Sequence, residues 1–256
     1  MDIPPVEAHA AVSVPKFCAR CGARWEPQWI ICPQCVRPEV SLPVGRTEHG
    51  RSISSAIGLY LSLLATSLLT IILMLAEAGQ EAILDIVGSC LLTGIVVIWC
   101  LASWHAVRPG LVKTGHWLWY PAAIPIAGCT FMVALCAVKV LESLFQVESY
   151  SYTQPFFDAG LGWPTIVLVI AVIPGLFEEL AFRGVVLSAM EKVLTLREAL
   201  IVSAFMFMIL HLAPMSFPHL LVVGVVLGFV RQRSGSLYPC MLIHFTHNLI
   251  CVFAEV

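Results

Sequence analysis

The sequence predicts an all-α polytopic membrane protein of about seven apolar helices, preceded by a small zinc ribbon. Three observations carry that prediction. Of 256 residues, 59% are hydrophobic and 12% charged, about half the charge of an ordinary soluble domain. After Ile53 the apolar residues gather into long runs, to be judged against the roughly 20 residues that span a bilayer. Before the first run, Cys18, Cys21, Cys32 and Cys35 form a C-x2-C, ten residues, C-x2-C array.

Residues 1–40 read as the ribbon and residues 41–52, with Pro43 and Gly45, as a linker to a membrane domain over 53–256. Four thiolates at this spacing can surround Zn(II) tetrahedrally, and so small a fold needs such a staple. Trp25, Trp29 and Ile30 are expected to pack on the metal site. The other reading, a pair of redox C-x2-C motifs, calls for a βαβ pattern that this sequence lacks. Cys90, Cys100, Cys129, Cys136, Cys240 and Cys251 are scattered through apolar runs, where free cysteine behaves as a small hydrophobe.

The first three spans are expected at Ile53–Ala76, Ile83–Val107 and Trp119–Leu141, followed by a polar loop over 142–161. A fourth apolar helix opens at Leu161, runs through Pro174-Gly175 and ends near Leu194. A fifth covers Ala199–Leu212, a sixth Leu220–Val230 and a seventh Leu237–Phe253. The fifth and sixth are too short to cross a bilayer without tilt.

Arg46 and Arg51, Arg108 and Lys113, Lys192 and Arg197, and Arg231 and Arg233 fall at alternate ends of these runs. The opposite loops carry Glu77, Glu81, Asp85, Glu142, Glu148 and Asp158, with Lys139 as the basic exception. The positive-inside rule therefore predicts a cytoplasmic N-terminal ribbon in an inner or plasma membrane protein, where reduced thiols favour zinc over disulfides. The opening residues lack a basic stretch followed by an apolar run, so no secretory signal is expected. A formal net charge of -2 and the lack of a basic patch with interleaved aromatics give no reason to expect nucleic acid.

Glu178-Glu179-Leu180-Ala181-Phe182-Arg183 interrupts the fourth apolar run. A charge at the centre of a membrane helix costs about 2.5 to 3.5 kcal/mol on insertion scales, so three within six residues need a reason. Glu179 and Arg183 stand four apart on one face and can pair, while Glu178 is rotated by about 100°. One carboxylate is then held and the other available. Later helices repeat the theme with Phe207-x-x-x-His211 and His244-x-x-x-Asn248. Polar groups inside a membrane face the bundle interior and tend to meet one another. His247 is expected to stand aside, Phe207 to be core, and His105, His116 and His219 to be interfacial.

The ordered triplet Glu178-Glu179-x-x-x-Arg183, Phe207-x-x-x-His211, His244-x-x-x-Asn248 resembles the CPBP family of type II CAAX prenyl endopeptidases, bacteriocin-processing proteins and their ABI relatives. The similarity covers roughly residues 160–253. It implies an intramembrane glutamic endopeptidase without a catalytic metal. Glu178 and His211 would activate water, His244 and Asn248 would stabilise the oxyanion, and Glu179 and Arg183 would hold the helix in place. The implied partners are a peptide or membrane-protein substrate and the bilayer; the ribbon, which carries no motif of that family, is expected to recruit a protein partner or recognise substrate.

Two alternatives stay open on the residues themselves. The Glu and His side chains could ligate a catalytic Zn(II), although H-E-x-x-H is absent. A scaffold or bacteriocin-immunity-type protein could use the cluster only as glue between helices. Such contacts are worth about 0.6 kcal/mol on average, a weak motive for burying five polar groups.

Overall fold

The computed structural model describes residues 46–77, 79–146 and 151–255. The predicted ribbon ligands Cys18, Cys21, Cys32 and Cys35 lie outside the described residues. Those from Arg46 onward form one compact unit, all-α and without a strand among the described residues. It has nine helices among them: α1 Arg46–Ala76, α2 Glu81–Ala102, α3 Trp104–Val112, α4 Trp119–Phe145, α5 Gln154–Asp158, α6 Trp163–Met190, α7 Leu196–Leu210, α8 Phe217–Ser234 and α9 Tyr238–Ala254.

The fold is that of a polytopic membrane protein. Five stretches are long and apolar enough to cross a bilayer: Gly50–Ala76, Glu81–Ala102, Trp119–Phe145, Trp163–Met190 and Pro214–Ser234. Their outward faces carry Leu61, Leu68, Leu69 and Ile72 on α1 and Ile98 and Leu101 on α2, all exposed. Water would penalise so continuous an apolar surface, and lipid does not.

Several element boundaries differ from the sequence expectation. α1 begins at Arg46, seven residues before Ile53, inside the stretch read as linker. The second span breaks at Ser103, whose backbone leaves the helical region (φ -108, ψ 26) and starts α3. The loop after α4 is helical in part, since α5 forms there with Pro155 in its first turn. The sixth helix is longer than its apolar run because Arg231, Gln232, Arg233 and Ser234 continue it to a left-handed Gly235 (φ 68). With the short Pro214–Ser216 turn before it, that stretch reaches 21 residues and is long enough to span. α7, at 15 residues, stays short.

The basic ends meet in space. Lys192, after α6, donates to Ser52 Oγ in α1 at 2.7 Å, and Gln232 in α8 donates to Glu191 at 2.9 Å. At the other end, Thr153 beside α5 donates to the Glu255 carboxylate after α9. Trp163 stacks on Phe253, with ring centroids 5.1 Å apart.

α6 positions the charged cluster. It continues through Pro174 but contains two wider turns, Val167–Val172 and Leu180–Val186, closed by i to i+5 bonds such as Ile173 N–H to Leu168 O and Leu187 N–H to Phe182 O. Each wide turn resets the helix face, and such turns gather at functional positions. Glu178 and Glu179 lie at the end of the regular stretch between them. α9 crosses α6 closely at Gly175, where an added Cβ would come within 3.0 Å of the Phe245 backbone. That approach brings α9, and with it His244, up against the carboxylates.

Candidate active site

The cluster has an inner, sealed layer. Glu179 and Arg183 are fully buried, and Arg183 Nη1 donates to Glu179 Oε1 at 2.9 Å, the expected i,i+4 pair. Arg183 Nη2 donates to the Gly224 carbonyl of α8 at 3.0 Å. Its guanidinium also lies over the Phe207 ring at 4.6 Å. Phe207 is core, as expected, and more: its ring meets both imidazoles edge-on, His211 at 4.8 Å and His244 at 5.8 Å between centroids.

Both imidazoles are fixed through Nδ1. His211 follows the last residue of α7, and its Nδ1 lies 2.9 Å from the Phe207 carbonyl one turn back. A carbonyl can only accept, so Nδ1 carries the proton and Nε2 faces outward. The turn that follows is tight, with Leu212 in the left-handed region (φ 51). For a non-glycine residue that conformation costs about 1 to 3 kcal/mol and is typical of functional sites. His244 Nδ1 lies 2.8 Å from Glu179 Oε1, an acceptor too, so Nε2 again points away from the buried layer.

Glu178 stands where the two Nε2 atoms point. Its Oε2 is 3.9 Å from His211 Nε2 and 3.9 Å from His244 Nε2. That oxygen is buried and has no hydrogen-bond partner. A separation of 3.9 Å exceeds a hydrogen bond, yet one water can touch two such groups from the side. The three side chains share the wall of a cavity of about 690 Å³, within the range of ligand sites. It also reaches residues at the acidic end of the bundle, Glu81, Glu142 and Glu255 among them.

Asn248 lines the same cavity but is engaged elsewhere. Its Nδ2 donates to the Ile170 carbonyl at 3.1 Å. That carbonyl lies four residues before Pro174, which has no N–H to offer it, so the side chain of α9 fills the gap left by the proline of α6.

Two other histidines depart from the sequence reading or extend it. His219 was expected at the interface, yet it lines the cavity with Nδ1 buried and unpartnered, because α8 begins earlier than its apolar run and draws the residue into the wall. His247 stands apart from the carboxylates: its Nδ1 lies 3.0 Å from Thr130 Oγ1 of α4. Thr130 itself donates to the Ala127 carbonyl at 2.9 Å, so His247 is the donor to it. His105 and His116 are exposed. Neither His219's place nor the Thr130 contact has a local sequence signal; Thr130 is 117 residues from its partner.

The four side chains Glu178, His211, His244 and Asn248 thus come from α6, the end of α7 and α9 and meet on one wall. Residues 160–250 match the family model "Type II CAAX prenyl endopeptidase Rce1-like". The matched segment contains α6, α7, α8 and most of α9, and every residue of the cluster falls within it. The match supports an intramembrane protease of the CAAX type, a hydrolase embedded in the bilayer. α1 to α4 and the cysteine array lie outside it. No curated protein and no solved structure matches the chain.

Proposed function

We propose that the protein is an intramembrane glutamic endopeptidase that hydrolyses a peptide bond of a membrane-associated substrate without a catalytic metal. The observation that carries this reading is the unpartnered Glu178 Oε2, buried on the cavity wall and 3.9 Å from each of two imidazole Nε2 atoms. Glu178 takes a proton from a water held between it and His211, and the hydroxide attacks the scissile carbonyl carbon. The C=O π pair moves to oxygen, and the oxyanion is met by a donor already in place. His244 supplies it as an imidazolium, with Nδ1 on Glu179 and Nε2–H turned to the cavity. Two carboxylates and one guanidinium sum to -1, so a single imidazolium makes the cluster neutral. Collapse of the intermediate expels the amine, which takes up the proton held by Glu178.

The same reading assigns Asn248 a holding role on α6 through Ile170, with its second N–H left for the oxyanion. The metal-independent form is part of this proposal, and chelation decides between it and a catalytic zinc held by the same Glu and His side chains. The ribbon, with Zn(II) on Cys18, Cys21, Cys32 and Cys35, would sit on the cytoplasmic side and recruit a protein partner or substrate. The test is cleavage of a library of apolar peptides by detergent-purified protein before and after chelation. Cleavage that survives removal of metal supports the reading; cleavage lost to chelator and restored by zinc rejects the metal-independent mechanism.

A further inference from the structure

The acidic side chains around the cavity are accounted for with one exception. Glu81 Oε1 accepts from the Gly79 N–H at 3.0 Å, Glu142 pairs with Lys139 at 3.0 Å, Glu255 accepts from Thr153, and Glu178 belongs to the catalytic cluster. Asp85 also lines the cavity, is half-buried, and has no hydrogen bond or ion pair among the described residues. The cavity's lysine, Lys139, is already taken by Glu142. An unpaired carboxylate inside an apolar helix is costly, and Asp85 lies a full turn past the start of α2, where the helix dipole gives it less support than it gives Glu81. Such a group is explained by a cation that comes from outside the chain.

Its position says where that cation would lie. Ala82, Asp85, Gly88, Ser89 and Leu92 recur at three- and four-residue spacing and form the cavity-facing side of α2. Ser89, Leu92 and Glu178 also share the wall of a small side pocket, so this part of α2 lies near the level of the catalytic carboxylate. Asp85 is four to seven residues nearer the acidic end, about 6 to 10 Å at the helical rise. An extended peptide covers that distance in about two to three residues.

We propose that Asp85 is a specificity determinant that receives a lysine or arginine side chain of the substrate, two to three residues from the bond cleaved. This inference rests on the protease reading for what happens next to the peptide, but its charge preference can be measured separately. The probes are apolar decapeptides of Leu, Ala and Phe carrying one Lys, one Glu or neither, with the charged residue walked along the chain. Binding is measured on Glu178→Gln protein and cleavage on protein with Glu178 intact, each with Asp85, Asp85→Asn or Asp85→Lys.

With Asp85 present, Lys peptides should bind about tenfold more tightly than Glu peptides, Asp85→Asn should level the two, and Asp85→Lys should reverse the order. The reversal is a gain that a misfolded variant cannot mimic. Equal binding of Lys and Glu peptides, a preference unmoved by Asp85→Lys, or binding of none of them overturns the inference. A preference that reverses as expected without any cleavage leaves Asp85 as the charge selector and rejects the protease reading instead.

Discussion

His244 Nδ1 lies 2.8 Å from Glu179 Oε1, so the buried carboxylate that pairs with Arg183 also holds an imidazole of the cavity wall. Glu179 therefore has two tasks, and they can be separated. Glu179→Gln keeps an acceptor for His244 Nδ1 but removes the charge that supports its imidazolium in the proposed mechanism, and should lower kcat by about 100-fold. It should also destabilise the fold by about 3 to 5 kcal/mol, because Arg183 is left buried without a counter-charge. Replacing both partners, Glu179→Met with Arg183→Leu, should recover most of that stability but not the activity. Thermal unfolding and peptide turnover on the same samples check this.

Asn248→Ala should cost about 1 kcal/mol of stability, since the Ile170 carbonyl loses its donor. Pro174→Ala supplies an N–H to the same carbonyl, so in the Asn248→Ala background it should restore most of the loss. Unfolding in mixed detergent reads the cycle. No recovery would mean that the proline gap is not what Asn248 fills.

Gly175 sets the spacing of α6 and α9. Because its Cβ position is 3.0 Å from the Phe245 backbone, Gly175→Val must push α9 away and carry His244 with it. A misplacement on the order of 1 Å costs about 100-fold in rate. The expected result is a fall in kcat of that size with KM little changed.

Thr130→Val leaves the buried His247 imidazole without its acceptor and should destabilise the protein by about 1 to 3 kcal/mol. Turnover per folded molecule should stay within about twofold, because neither group touches Glu178 in the proposed mechanism. Activity measured against the folded fraction distinguishes this from a direct role in the reaction.

The sequence carried the larger part of this arrangement. The lone charges in an apolar run marked Glu178, Glu179 and Arg183, and helical pitch placed Glu179 and Arg183 on one face as the structure has them. Pitch failed where the helix itself departs from it: the two wide turns of α6 leave no periodic trace, so the register that aims Glu178 between the histidines could not be read. Ser103 breaks a run that hydropathy alone joins, and the polar residues Arg231 to Ser234 lengthen a helix that hydropathy alone cuts short. Thr130 draws no reading, His219 reads as interfacial and Asp85 only as a loop acid, because their meaning lies in which helices pack together. A single polar residue in an apolar run does not say which neighbour it will meet.

The measurement closest to the central claim compares wild type, Glu178→Gln and His211→Ala for cleavage of the same peptide library, with each variant's unfolding recorded. The mechanism predicts folded variants whose cleavage falls by at least about 100-fold, most severely for Glu178→Gln, because the amide retains the shape and loses the base. Wild-type rates in folded Glu178→Gln protein would contradict it and move the chemistry, if there is any, away from this carboxylate.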